Sequence, residues 1–129
     1  MLEAGIKNEK SVLVTSANSA KTMGSGTLDV FATPAMIALM EGCAYESVAP
    51  ELEDGSGTVG ISLNVKHVAA TPLGMTVRCE SELTKVDGRI LTFYLKAYDE
   101  KGLIGEGEHE RCIVYNEKFQ AKADAKLKA

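Results

Sequence analysis

The chain has 129 residues, of which 45% are hydrophobic and 25% are charged. This length suits one domain covering residues 1–129, and the composition is typical of a globular protein rather than a disordered one. The net charge of -4 excludes a general attraction to nucleic acid or to an anionic membrane, because both are polyanions. The composition therefore favours a small-molecule partner.

Three cysteines, Cys43, Cys79 and Cys112, are widely spaced and form no C-x-x-C pair. This odd number without a pairing motif favours reduced thiols in the cytoplasm and gives no sign of a zinc or redox site. The first ten residues carry several charges instead of the apolar run of a signal peptide, and no stretch of about 18 apolar residues is present to cross a bilayer. We expect a cytoplasmic protein that is neither exported nor membrane-spanning.

The first elements in chain order are a short strand, a loop and one long helix. Residues 12–15 alternate in a β-prone pattern, and residues 16–27 are small, polar and glycine-containing, as in a loop. Thr33 followed by Pro34 predicts a threonine N-cap and a proline in the first helical position. The predicted helix covers residues 34–48. Its first three turns are apolar all round except at Glu41, which predicts a helix enclosed by other elements.

Four strands separated by turns follow the helix. Turn-forming residues lie at positions 50–57, 71–74, 87–88 and 99–102. In the first of these strands, the period-two alternation of side chains places Ile61, Leu63, Val65 and His67 on one face. The Lys/Ala-rich segment from Asn116 onward predicts a short or frayed helix.

This order of elements predicts an α+β fold, in which a five-stranded antiparallel sheet wraps around one long central helix. One sheet rolled around one helix leaves strand edges uncovered, so the pairing of two copies completes the core. We therefore expect at least a homodimer.

Glu41 is the residue that stands out in this pattern, because it is a lone carboxylate within an apolar helix. A buried carboxylate is costly unless it is paired or protonated. One interpretation is a structural glutamate that reaches solvent or pairs with an Arg or Lys. The other is a general base or nucleophile in a partly dry pocket.

The two histidines are both predicted to point inward. His67 shares the face of Leu63 and Val65, and an inward imidazole needs a hydrogen-bond partner. Alone it indicates a core histidine, whereas next to an inward Glu41 it favours a catalytic pair. His109 shares the parity of apolar residues in the last strand and is interpreted as a structural histidine.

Three further residues have both a structural and a functional interpretation. Thr33 caps the helix, but free N–H groups and the positive end of the helix dipole at that place also suit a developing oxyanion. Gly60 is either a bulge or close-packing glycine, or presents its N–H to a substrate carbonyl. Arg111, followed by Lys118 and Lys122, either meets phosphates at a pocket mouth or is a solvated cation.

Several well-known motifs are missing from the sequence. It contains no phosphate-binding G-x-x-x-x-G-K-[ST] loop, no G-x-S-x-G elbow and no convincing metal cluster. These absences argue against nucleotide hydrolysis and serine-triad chemistry.

Three stretches of the sequence form a set that can be recognised. They are V-F-A-T leading into L-M-E (residues 30–41), V-K-H-V-A-A-T-P-L-G (residues 65–74) and G-E-H-E-R (residues 107–111). Together they resemble the fluoroacetyl-CoA thioesterase family, over residues 29–122. The resemblance implies a hotdog fold, usually dimeric.

The resemblance also implies an activity and a set of site residues. The activity is hydrolysis of an acyl-CoA thioester to a carboxylic acid and free CoA, without a metal or redox cofactor. The catalytic threonine, glutamate and histidine of the family fall on Thr33, Glu41 and His67, and its substrate-contacting glycine falls on Gly60. Residues 24–28, G-S-G-T-L, lack the aromatic residues that the fluoroacetyl-specific member carries before V-F-A-T, which argues against selectivity for fluoroacetate.

Two other functions stay open on the same fold. One is a non-catalytic module that binds acyl-CoA, and the other is a hydratase or dehydratase acting on enoyl-CoA. Hydrolysis is preferred because the matching motifs are those of thioesterases. The sequence leaves open whether Glu41 acts as a base or as a nucleophile, and which protomer supplies each group.

Overall fold

The computed structural model of the chain describes residues 1–128, which form five strands, one long helix and two short helices. The strands are β1 (Lys7–Leu13), β2 (Ser56–His67), β3 (Thr76–Asp87), β4 (Ile90–Asp99) and β5 (Gly102–Tyr115). The helices are α1 (Ala20–Met23), α2 (Thr33–Val48) and α3 (Asn116–Asp124), with single 3-10 turns at Ser16–Asn18, Ala49–Glu51 and Ala125–Lys128.

The five strands form one antiparallel sheet in the order β1-β3-β4-β5-β2. The turn that joins β3 to β4 is formed by Gly88 and Arg89, one residue later than the predicted 87–88, and Gly88 has a φ of 61°, which glycine adopts without steric cost. The α+β prediction of one long helix and a five-stranded antiparallel sheet is confirmed. Strands β1 and β2 are the two edges of the sheet.

The core lies between α2 and one face of the sheet. Its fully buried side chains come from the helix, from β3, β4 and β5, and from the segment before α2. They include Phe31, Met36, Met40, Cys43, Val48, Val77, Cys79, Leu83, Leu91, Phe93 and Leu95. Burial of such apolar side chains contributes roughly 1.5–3 kcal/mol each, so this interface holds the helix in place.

The expectation that α2 is enclosed on all sides was wrong for one face. Pro34, Ala38 and Tyr45 are exposed, and the Tyr45 side chain shows 47% of its surface. The sheet curves around only part of the helix, so a single chain leaves this stripe uncovered.

The predicted N-cap was also wrong, because α2 begins at Thr33 itself. Ala32 is the N-cap residue, in an extended conformation, and it makes no side-chain capping bond. The Thr33 hydroxyl is instead hydrogen-bonded to His67. A tertiary contact has thus replaced the local capping bond that threonine commonly makes.

Two predicted boundaries differ from the structure. Strand β1 begins at Lys7 rather than at residue 12, because its polar outer residues alternate with half-buried ones and hide the strand pattern. The predicted loop over residues 16–27 contains a 3-10 turn and α1, which Ser19 caps through its hydroxyl. Among residues 1–128, no helix combines the length and the apolar character needed to cross a membrane.

Strand β2 contains a bulge, which corrects the predicted facing of Ile61. Gly60 pairs with Arg111 and Ser62 pairs with Glu110, so Ile61 is the extra residue between them. Residues opposite each other in an antiparallel pair lie on one face of the sheet, so a bulge changes which residues point inward. Ile61 is 50% exposed.

Beyond the bulge, the predicted parity holds. Leu63, Val65 and His67 pair with His109, Gly107 and Gly105, in that order, which lie on the helix side of β5. Leu63 is nevertheless 38% exposed, because it lies on an edge strand.

Two glycines of β5 allow the close approach of neighbouring elements. A Cβ at Gly105 would stand 2.5 Å from Sδ of Met36 in α2, and a Cβ at Gly107 would overlap the backbone of Asn64 and Val65. The helix and β2 can therefore lie directly against β5.

Candidate active site

The Thr33–His67 pair lies where the start of α2 meets the end of β2. Thr33 Oγ1 and His67 Nδ1 are 2.7 Å apart, a short hydrogen bond. Within residues 1–128, the other ring nitrogen of His67, Nε2, is buried and has no hydrogen-bond partner. Burial lowers the pKa of His67 from its ordinary value of 6.5, and the nearby Ala69 backbone offsets this only in part. His67 is therefore neutral at neutral pH.

A cleft of about 490 Å³ opens beside this pair. Its walls are the loop at residues 25–28 and the segment at residues 67–70, and Phe31 and Thr33 line it near the start of α2. The first turn of a helix presents N–H groups that no carbonyl of the helix accepts, and Pro34 removes one of them. The N–H groups of Thr33 and Ala35 belong to this turn.

The Glu41 cluster, which comprises Glu41, Thr58, Gly60, His109 and Arg111, lies farther along α2. A Cβ at Gly60 would stand only 2.7 Å from Glu41 Oε2, so the absence of a side chain there makes room for the carboxylate. Arg111 Nη1 lies 3.6 Å from the same oxygen. The Glu41 side chain is 40% exposed, whereas that of Arg111 is 7% exposed. The carboxylate thus rests on a buried cation and remains open to solvent.

Arg111 lies inside the protein, so the interpretation of this residue as a solvated cation was wrong. Its Nε donates to Thr58 Oγ1 at 2.7 Å, and its Nη2 donates to the Thr58 carbonyl at 2.9 Å. Burial lowers the pKa of Arg111, and Glu41 opposes that change. The pairing with Gly60 across β5 and β2 turns the side chain inward. A role for Arg111 in binding substrate stays a prediction.

His109 is fully buried, in agreement with the predicted inward orientation. Its Nδ1 is 2.8 Å from the Ser62 carbonyl, and its Nε2 is 3.1 Å from Arg111 Nη1. The ring of Phe93 flanks it at 6.2 Å between centroids. Burial lowers the pKa of His109, and the charge of Arg111 lowers it further.

One chain does not bring Thr33, Glu41 and His67 together. Glu41 lies about 12 Å from Thr33 along the helix at 1.5 Å per residue. Its carboxylate rests against Gly60, which is about 23 Å from His67 along β2 at about 3.3 Å per residue. The structure therefore joins Thr33 with His67, and Glu41 with Gly60 and Arg111, in two separate half-sites.

Sequence reasoning did not include Thr58 and gave His109 only a structural role. Thr58 holds two donors of Arg111, and it lies on the same face as Gly60 because both precede the bulge. The parity of residues 58 and 60 is the signal that could have found it. Among residues 1–128, no group of three or more His, Cys, Asp or Glu side chains is arranged to hold a metal ion.

Comparison with known proteins is consistent with this geometry. The chain is 45% identical over 101 residues to the fluoroacetyl-CoA thioesterase of Streptantibioticus cattleyicolor, which is 78% of this chain and 73% of that protein. A solved structure of a fluoroacetyl-CoA thioesterase, a threonine-to-serine mutant in complex with acetyl-CoA, is 34% identical and has a TM-score of 0.93 over 97% of this chain and 98% of that one.

A more distant structure shows the fold. A hot-dog-like protein from Thermanaerovibrio acidaminovorans is 21% identical and has a TM-score of 0.86, over 95% of this chain and 91% of that one. Helix α2 and the sheet thus define a hotdog fold, and the closer relatives place the chain among the thioester hydrolases of this fold.

The family model described as fluoroacetyl-CoA-specific thioesterase matches residues 14–117. The chain belongs to this family, which confirms the resemblance drawn from its sequence motifs.

Proposed function

We propose that the chain hydrolyses a small acyl-CoA thioester to a carboxylic acid and free CoA, with Glu41, His67 and Thr33 at the reacting centre. The observation that carries the proposal is the placement of Glu41, whose carboxylate is fixed by a buried guanidinium and yet 40% exposed. A carboxylate that is held and still reachable suits a general base or a nucleophile. Family membership supplies the reaction class.

In the proposed reaction, Glu41 takes a proton from water, and the water oxygen bonds to the thioester carbonyl carbon. The negative charge on the carbonyl oxygen is stabilised by backbone N–H groups, from Gly60 and Ile61 at the bulge and from the first turn of α2. The C–S bond then breaks as the carbonyl re-forms. The proton that Glu41 took from water passes to the leaving thiolate, and the Nε2–H of neutral His67 stabilises this sulfur with a hydrogen bond.

Thr33 determines which nitrogen of neutral His67 carries the ring proton that donates this hydrogen bond. When the Thr33 hydroxyl donates to Nδ1, the proton of the neutral ring is on Nε2, the nitrogen without a protein partner. This arrangement suits donation to the CoA sulfur. The role proposed for Thr33 is therefore to orient His67.

We propose that a homodimer completes the site. Strand β2 is a sheet edge of 12 residues, and Ile61 and Leu63 on it are 50% and 38% exposed. Such an edge is prone to pair with another strand. Two-fold antiparallel pairing of β2 sets the Gly60 region of one chain beside the His67 end of the other. Glu41 of one protomer then faces Thr33 and His67 of its partner.

Co-expression of two inactive variants tests this composite site. Glu41→Gln and His67→Asn chains, mixed at random, form mixed dimers in half of the cases, and each mixed dimer has one intact site. We expect about a quarter of the parental activity, because symmetric pairing exchanges the same elements in both directions. No recovery beyond the separate variants, in dimers shown to be mixed, contradicts the composite site.

The remaining expectations are also proposals. The reaction as written needs no metal or redox cofactor, since water and a carboxylate supply every proton transfer and an imidazole N–H stabilises the thiolate. The three cysteines are free, and Cys43 and Cys79 are buried, which suits the cytoplasm. The cleft wall at residues 25–28 carries no aromatic side chain, so we propose a small acyl group without selectivity for fluoroacetyl.

Thiol release from a panel of short-chain, aromatic and fluorinated acyl-CoA esters tests the activity. We expect turnover of at least one small ester. Tight binding of esters without turnover of any indicates a binding module, and loss of the enoyl chromophore without thiol release indicates a hydratase. A single turnover in oxygen-18 water then addresses the role of Glu41, because label in its carboxylate excludes a purely general-base route.

A further inference from the structure

His109 is a buried titratable group for which the proposed reaction has no use. It shows no exposed surface, so it cannot touch the substrate directly. It is nevertheless in contact with the Glu41 cluster through Arg111.

The hydrogen bonds of His109 determine its tautomer. The Ser62 carbonyl can only accept, so Nδ1 carries a proton and donates to it at 2.8 Å. Arg111 Nη1 can only donate, so Nε2 is unprotonated and accepts from it at 3.1 Å. His109 is therefore a neutral imidazole with one proton, on Nδ1.

The neutral His109 ring binds the one guanidinium nitrogen of Arg111 that faces Glu41. Thr58 binds Nε and Nη2 of Arg111, while His109 holds Nη1, which is the nitrogen 3.6 Å from Glu41 Oε2. Without an acceptor at His109, Nη1 would be buried with one unmatched N–H, and the guanidinium would rotate toward another partner.

We propose that His109 is a positioning residue, which as a neutral acceptor orients Arg111 so that its guanidinium holds the Glu41 carboxylate beside Gly60. The inference rests on the proposed function of Glu41. It assigns to the His of G-E-H-E-R a role in catalysis without contact to substrate.

The surroundings of His109 keep it neutral. The charged groups that face it are Arg111 from β5 and Glu41 from α2, while β4 contributes the Phe93 ring and β2 the Ser62 carbonyl. Protonation of Nε2 would set an N–H against the N–H of Arg111. Burial and the Arg111 charge both lower the pKa of His109, which opposes this protonation at neutral pH.

Two amide variants separate the two hydrogen bonds of His109. In His109→Gln, the longer amide can accept from Arg111, as Nε2 does. In His109→Asn, the shorter amide can reach the Ser62 carbonyl, as Nδ1 does, but not Arg111. We expect kcat close to the parental value for the Gln variant. We expect a loss of about tenfold to a hundredfold in kcat, with little change in KM, for the Asn variant, since a small misplacement of a catalytic group has effects of this size.

A measurement that does not depend on turnover accompanies the kinetics. Nitrogen-15 NMR of the Arg111 guanidinium should show separate, slowly exchanging Nη signals in the parent and in His109→Gln, and averaged signals in His109→Asn. Equal kcat in the two variants, or immobile Arg111 signals in both, overturns the proposal. If the parent turns over no ester, the proposed function fails, and the Arg111 signals alone decide whether His109 holds the guanidinium.

Discussion

The two half-sites of the chain differ in how completely they are built. The Glu41 cluster is fixed from within, because Arg111 is bound by Thr58 and His109 and in turn holds Glu41. The Thr33–His67 pair rests on one hydrogen bond, and its Nε2 has no partner in residues 1–128. The carboxylate therefore needs no ligand to take up its position, whereas the imidazole has one nitrogen left for a substrate or a second chain.

The largest effect on kcat is expected from a substitution in the Glu41 cluster, whose carboxylate is already held in position. Glu41→Gln keeps the shape of the side chain but removes the base, so we expect kcat to fall by about 10² to 10⁴-fold. Glu46→Gln is the matched control on the same helix, because Glu46 is exposed and pairs with Lys10. The measurement is thiol release under saturating ester. A Glu41→Gln enzyme as active as the control would remove Glu41 from the mechanism.

The next effect concerns the hydrogen bond of the open half-site. Thr33→Val removes the hydroxyl that orients His67 and should lower kcat by about tenfold to a hundredfold, because the hydrogen bond from His67 Nε2 to the sulfur is then misplaced. Thr33→Ser keeps the hydroxyl and should retain most of the activity. Because α2 has no side-chain cap at Thr33, only the hydrogen bond to His67 is lost in Thr33→Val, and we expect its melting temperature to lie no more than a few degrees below that of Thr33→Ser. A large difference in melting temperature would indicate a structural role instead.

A smaller effect should follow when the Glu41 carboxylate is displaced. A Cβ at Gly60 meets the flexible end of Glu41, so Gly60→Ala should move the carboxylate, keep the fold and lower kcat about tenfold. Gly57→Ala is the control in the same strand, since its Cβ would meet the Asn116 amide 2.9 Å away, outside the cluster. Both variants are assayed for kcat and melting temperature. Equal kcat values for Gly60→Ala and Gly57→Ala would show that catalysis does not depend on the position of the Glu41 carboxylate beside Gly60.

The smallest effect is on stability at mild acidity. The pKa values of His67 and His109 are both lowered from 6.5 in the folded chain. Below pH 6.5 the unfolded chain therefore binds more protons than the folded one, and the free energy of unfolding falls as the pH decreases toward the folded values. Calorimetry between pH 7.5 and 5 should show a falling melting temperature.

The His109→Gln variant sharpens this last comparison, because it leaves only His67 to titrate in that range. We expect its melting temperature to fall less between the two pH values than that of the parent. If the melting temperatures of the variant and the parent changed equally with pH, the pKa of His109 would be the same in the folded and the unfolded chain.

The fold could be predicted because its signals are local. The apolar run of α2 and the turn residues between strands depend on neighbours in sequence, and these elements were found to within a few residues. The inward orientation of His109 followed from the alternation in β5. The predicted positions of three residues were wrong because they depend on contacts with distant parts of the chain. Thr33 binds His67 instead of capping, Ile61 is the extra residue of a bulge, and Arg111 turns inward to meet Thr58.

Glu41 is another residue whose contacts could not be predicted from the local sequence. The pattern of α2 identified it as unusual, but not the partner that holds it, because Arg111 is 70 positions later in the chain. Contacts of this kind depend on the register between β2 and β5, which side-chain alternation alone does not give. The separation into two half-sites could not be predicted either, because it depends on the distance between Gly60 and His67 along β2.

The bulge in β2 has a consequence for how this strand can change in evolution or by design. Gly60 has an even number and His67 an odd one, so a regular strand would place them on opposite faces, and only the extra residue Ile61 puts both on the helix side. Deleting Ile61 would leave every other side chain of β2 chemically intact. It would nevertheless turn one end of the strand over, so the length of this segment is more strongly constrained than the identity of the residue at its bulge.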